Sequence, residues 1–120
     1  MIRLRVEGDK LNDLVAYISI SASEDAEVCK ASVVREIDNR RVGFFVFEGF
    51  YFRTQRSVSC SVFLYQTDLN SCEIIIVGAG GATAVGITWG AQKDIEKKMS
   101  EAILDYARNL GMKADYSSSK

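Results

Sequence analysis

Across residues 72–111 an unbroken apolar run gives way, over a glycine-rich break, to a 3.6-residue hydrophobic period. Few architectures accept that order. Ile74, Ile75, Ile76 and Val77 are consecutive and β-branched, which predicts a central strand with both faces covered. Gly78, Gly80 and Gly81 are expected to end it, because glycine permits left-handed backbone and close approach of other groups. From Asp94 onward Ile95, Met99, Ala102, Ile103, Tyr106 and Leu110 fall on one helical stripe. Lys93, Glu96, Lys97, Ser100, Glu101 and Asp105 are expected to face water. Asp94 and Lys98 make a favourable i,i+4 pair, and Gly111 stands where a left-handed cap belongs.

Upstream, the chain is mostly period two. Ile2, Leu4 and Val6 alternate with Arg3, Arg5 and Glu7, the pattern of a half-buried strand. Gly8 ends it, Asp9 is the expected N-cap, and Leu11, Leu14, Val15 and Ile18 mark one face of a helix that ends among serines. From Glu27, Cys29, Ala31, Val33 and Ile37 share a face up to a turn at 38–41. Residues 42–53 carry aromatics on both faces, so this strand is expected to be covered on both sides, by helices or by a partner subunit. In 57–66, Val58, Cys60, Val62 and Leu64 face inward against Ser57, Ser59 and Ser61, the alternation of an antiparallel strand. The order is β-α-β-β-β-β-α. Successive strands joined by short turns predict an α+β fold, a two-layer antiparallel β-meander with flanking helices. Residues 1–112 read as a single domain, and 113–120 as a flexible tail.

The chemistry is bounded by what is missing. The 120 residues include no histidine, which excludes Ser-His and Cys-His nucleophile pairs. The three cysteines, Cys29, Cys60 and Cys72, show no metal-ligand spacing, so neither metal nor cofactor is expected, and they read as small apolar strand residues in a reducing cytosol. A formal net charge of -1 gives no electrostatic reason to expect nucleic acid or an anionic membrane as partner. Residues 1–10 lack an apolar core of signal-peptide length, and the apolar run 74–87 is too short and glycine-rich to span a bilayer. The expected location is cytoplasmic. The absence of proline suits long, uninterrupted strands.

The glycine-rich loop at 78–81 has two readings. It is a tight strand-to-helix connection, or it is a place where backbone N–H groups converge on an anion. The Walker ending Gly-Lys-Ser/Thr is absent, and no second βαβ unit follows, so neither nucleotide-binding signature is met. A meander returns Gly78, Gly80 and Gly81 to the sheet end that holds Arg53 and Arg56. With Tyr51 and Trp89 nearby, that end is a candidate ligand-binding site for a carboxylate or phosphate. The alternative is two solvated arginines paired with Glu24, Asp25 or Glu27. Glu48, inside the aromatic strand, is a candidate general base or an ordinary exposed acid.

The segments Phe50-Tyr51-Phe52-Arg53, Gly78-Ala79-Gly80-Gly81 and Trp89-Gly90-Ala91 resemble a family of small uncharacterised prokaryotic proteins. That family shows an aromatic-aromatic-x-Arg strand, a G-x-G-G loop and a W-G-A helix start. The resemblance spans roughly residues 44–107 and points to Tyr51, Arg53, Gly78, Gly80, Gly81, Trp89 and Gly90; it implies no activity. The expected function is that of a non-enzymatic, self-associating domain, a homo-oligomer (dimer), with a possible small anionic ligand near the glycine loop. The alternatives are a small enzyme pairing a carboxylate base with arginine, and a purely structural interaction module.

Overall fold

The computed structural model describes residues 1–21, 28–51, 56–80 and 89–117. The elements follow the chain as β1 (Ile2–Glu7), α1 (Leu11–Ser21), β2 (Val28–Ile37), β3 (Arg40–Tyr51), β4 (Arg56–Asp68), β5 (Ser71–Gly80), α2 (Trp89–Asn109) and β6 (Lys113–Tyr116). Six strands form one antiparallel sheet in the order β2-β3-β4-β5-β1-β6. The first seven elements and the α+β class agree with the sequence reading. β1 closes the meander by pairing with β5, Leu4 opposite Ile74 and Val6 opposite Cys72.

The turns follow from local backbone chemistry. β2 and β3 are joined by Asp38 and Asn39 alone, both with positive φ (52° and 65°), a conformation that Asn and Asp tolerate best after glycine. Arg40 and Arg41, expected in this turn, already belong to β3. At the same sheet end Asp68 Oδ1 accepts from the Asn70 N–H at 3.1 Å, and Gln66 joins the two hairpins by accepting from the Arg41 N–H at 2.9 Å and donating to the Leu69 carbonyl at 3.1 Å. The first hydrogen bond of α1 runs from the Leu14 N–H to the Lys10 carbonyl, so Lys10 rather than Asp9 stands at the N-cap and the helix opens at Leu11.

Both helices lie on one face of the sheet. Leu14, Val15 and Ile18 of α1 and Ile95, Met99, Ile103, Leu104 and Ala107 of α2 bury against Leu4, Val6, Phe45, Phe47, Cys60, Val62, Leu64, Ile74 and Ile76. The two helices meet through Tyr17 and Tyr106, whose rings stack at 3.8 Å between centroids. Gly43 lies on this inner face beside the Phe45 ring, and a Cβ there would stand 2.9 Å from Phe45 Cε2. The glycine thus makes room for a ring of its own strand.

Three expectations are corrected. The strand through Ile74 does not end at Gly78 but continues to Gly80, because β4 still pairs with it: Cys60 is opposite Gly78 and Val58 opposite Gly80. Glu96 and Ser100 do not face water; both are buried on α2. Residues 113–116, read as tail, form β6. Gly111 (φ 84°) ends α2 in a Schellman motif, the Met112 N–H donating to the Ala107 carbonyl and the Gly111 N–H to the Arg108 carbonyl, each at 3.0 Å. The reversal sets Ala114 against Val6 and brings its carbonyl to Arg108, which donates to it from Nε at 3.0 Å and Nη2 at 2.8 Å. Arg108→Ala is expected to lower the unfolding free energy by about 1 kcal/mol in urea titrations and to speed exchange of the β6 amides. An unchanged midpoint would mean that β6 docks without this clamp.

Candidate functional site

Two places on the molecule have site-like features: the sheet end named by the sequence, and the sheet face left open by the helices.

At the sheet end, the backbone brings part of the expected constellation together. Tyr51 pairs with Arg56 across β3 and β4, and Gly80 pairs with Val58 two residues further along β4. α2 opens at Trp89, about two turns before Glu96. Arg53 and Gly81 lie outside the described residues, as do Glu24, Asp25 and Glu27. Gly78 is the member whose chemistry is visible. Its N–H donates to Glu96 Oε2 at 2.7 Å, while Glu96 Oε1 accepts from the Met1 ammonium at 3.1 Å. β1 pairs with β5 only as far as Ile2 opposite Ile76, so Gly78 has passed the end of its neighbour. Glu96 takes the place of the absent strand. With 8% of its surface exposed, this carboxylate puts negative charge where an anion-binding loop would want none, and the Gly78 N–H is already committed.

The apolar stripe alone places Glu96 in solvent, yet the sequence carries a signal for its burial. Glu96, Ser100, Ile103 and Ala107 are spaced i, i+4, i+7 and i+11, a second inward stripe beside the apolar one.

The open face is the other candidate. The aromatic strand β3 is covered only on the side of Phe45 and Phe47; its other side carries Val42, Phe44, Val46 and Glu48 without helix or strand above them among the described residues. Strand register sets Val33, Phe44, Phe63 and Ile75 in one row across β2, β3, β4 and β5. Exposures of 41% for Val33, 42% for Phe44, 36% for Phe63 and 38% for nearby Val77 are large for inward-type side chains. Phe63 also packs against Tyr65, with centroids 5.5 Å apart. Glu48 is exposed on this face, away from the helix-covered core.

Charge gathers at the β1 border of the same face. Arg5 Nε meets Glu7 Oε2 at 3.3 Å and Arg5 Nη1 meets Glu73 Oε2 at 4.0 Å. Burial and the Glu73 carboxylate push the Tyr65 phenol above its ordinary value, with Arg3 opposing. Beyond it, Arg5, Glu7, Lys113, Asp115, Tyr116 and Ser117 line a cavity of about 510 Å³, in which acids and bases offset one another. No cluster of metal-ligating side chains occurs among the described residues, and no helix among them is long and apolar enough to cross a membrane. Cys60 and Cys72 are buried thiols in no disulfide, and burial pushes Cys72 up to about 12. A thiol held protonated is no nucleophile at neutral pH.

Comparison with known proteins finds no matching family, no matching curated protein and no matching solved structure.

Glu96→Leu is expected to cost about 1–3 kcal/mol in denaturant unfolding and to speed exchange of the Gly78 amide, whereas Glu96→Gln keeps an acceptor and loses less. Equal losses for the two variants would show that the hydrogen bond to Gly78 is not what matters. The Cys72 shift predicts alkaline sensitivity. The thiol binds its proton more tightly when folded than its ordinary 9.0, so its contribution is whole below pH 9.0 and is lost as pH rises toward about 12. Cys72→Ala should flatten stability-versus-pH curves across that window; an identical slope would assign the sensitivity to other groups.

Proposed function

We propose that this chain is a non-enzymatic domain that self-associates through the open face of its sheet. The observation that carries the reading is the apolar row Val33, Phe44, Phe63 and Ile75, which no helix or strand covers among the described residues, on a sheet whose opposite face is used by its own helices. A two-layer α+β domain leaves such a face to water only when it is polar, and here it is aromatic and aliphatic at its centre. A second copy supplies a matching surface, because two sheets stack face to face at about 10 Å with their strands nearly aligned.

The area suffices. Four strands at about 4.8 Å spacing and five outward rows at about 6.8 Å define a patch of about 650 Å² per copy. A pair then covers about 1,300 Å², within the range of stable, specific interfaces. The charged β1 border falls outside that patch, giving an apolar centre with a polar rim.

The reading of Gly78 as an anion-binding donor has the weaker support, since Glu96 occupies that N–H. The enzyme reading likewise has the weaker support: Glu48 stands exposed on the open face, away from the helix-covered core. The likeness to small prokaryotic proteins brings no activity of its own, so the proposal rests on geometry.

The test is sedimentation equilibrium of the wild type and of Phe44→Glu. The wild type is expected to show a concentration-dependent dimer, and Phe44→Glu a monomer with unchanged circular dichroism, since its side chain leaves the core intact. A wild type that stays monomeric at every accessible concentration would refute the reading.

A further inference from the structure

We propose that the second copy docks in one register, about a two-fold axis that runs parallel to the strands between β3 and β4 and sets Arg35 of each copy against Glu73 of the other. This rests on the reading that a second copy covers the open face.

The pattern of that face selects the axis. Strand register lays out Arg35, Val42, Tyr65 and Glu73 as one row across β2 to β5. The next row is Val33, Phe44, Phe63 and Ile75. Turning a copy over about an axis between β3 and β4 reverses each row onto itself. Val33 then meets Ile75 and Phe44 meets Phe63, apolar on apolar, and the same rotation brings Arg35 to Glu73 at both borders. Each pair occurs twice, as an isologous interface requires.

The other face-to-face rotation does poorly. An axis perpendicular to the strands, through the Phe44 row, places β1 on its own copy and sets Arg3, which continues that row opposite Ile75, against Arg3. It also sets Arg35 and Glu73 against the row of Val46 and Val77, so neither gains an opposite charge from the second copy on being desolvated. Opposed charges in one orientation and like charges in the other fix register more than they add affinity.

Both groups are placed to engage. Arg35 is exposed, and its Nη1 donates to the Val34 carbonyl at 3.0 Å, a bond that a five-donor guanidinium keeps while also meeting a carboxylate. Glu73 keeps 21% of its side chain exposed; it accepts from the Tyr65 hydroxyl and meets Arg5 at 4.0 Å, which leaves a carboxylate's further lone pairs for Arg35.

The experiment is a double-mutant cycle on the dimer dissociation constant, with Arg35→Gln, Glu73→Gln and the pair combined, each checked by thermal unfolding. Each single variant is expected to weaken the dimer about fivefold, and the combined variant no more than either alone, because the same contact is removed. Effects that multiply independently, or no effect from Arg35→Gln, in a wild type that does dimerise would overturn this register while leaving self-association standing. A monomeric wild type would overturn both. Should Glu73→Gln fail to fold through loss of its Arg5 contact, Arg35→Glu serves alone: it sets two carboxylates together and must weaken the dimer at least about tenfold at low salt, with recovery as salt is raised. Insensitivity to charge and salt would refute the pairing.

Discussion

The packing of α2 onto β4 and β5 is the constraint on which the rest of the molecule depends. Ile95, Met99, Ile103 and Ala107 descend one side of that helix onto Val62, Leu64, Ile74 and Ile76, with all but Met99 fully buried. Each of the larger side chains among them contributes about 1.5–3 kcal/mol when removed from water. The same contact fixes the direction of α2, and the Schellman turn at Gly111 then has one place to send the chain. That place is the free edge of β1, where Ala114 completes the core and Arg108 holds its carbonyl. The other end of the helix delivers Glu96 to Gly78, where β1 has run out. One packing interface therefore determines β6 at one end and closes the hydrogen-bond ladder at the other.

A helix layer on one side also defines the opposite side. Because both helices bury the Phe45 and Phe47 face, the alternate residues of the same strands are left outward, and in β2 to β5 these are largely apolar. The proposed self-association and its register derive from that asymmetry. The charged residues of β1 are not scattered over the face but gathered at its border, where they stay hydrated if the centre is covered.

Much of the fold was legible in the sequence because its strands and helices carry clean periods. Cys60, Val62 and Leu64 alternate with Ser59 and Ser61, which gives β4 one apolar inner face and a more polar outer one. Ile95, Met99 and Ile103 follow a helical stripe, and Gly111 marks its end. The candidate site was legible only as a coincidence of ends: a meander returns β5 to the β3–β4 turn, and the register of Tyr51 with Arg56 and Val58 with Gly80 agrees. The role of Gly78 was not legible. Whether an N–H is open to a ligand depends on what reaches it from 18 residues away, and Glu96 looks like any other helix carboxylate.

The sequence by itself determined the class of fold, the order of the first seven elements and the exclusion of histidine chemistry, since these follow from local period, turn chemistry and composition. Only the tertiary structure decided that 113–116 is a strand, that β5 continues through its glycines, and which aromatic face of β3 is covered. Local pattern cannot make those decisions. Lys-Ala-Asp-Tyr becomes a strand because β1 offers it unpaired backbone, Gly78 and Gly80 remain extended because β4 still pairs with them, and two faces that both carry aromatic rings are told apart only by where the helices land.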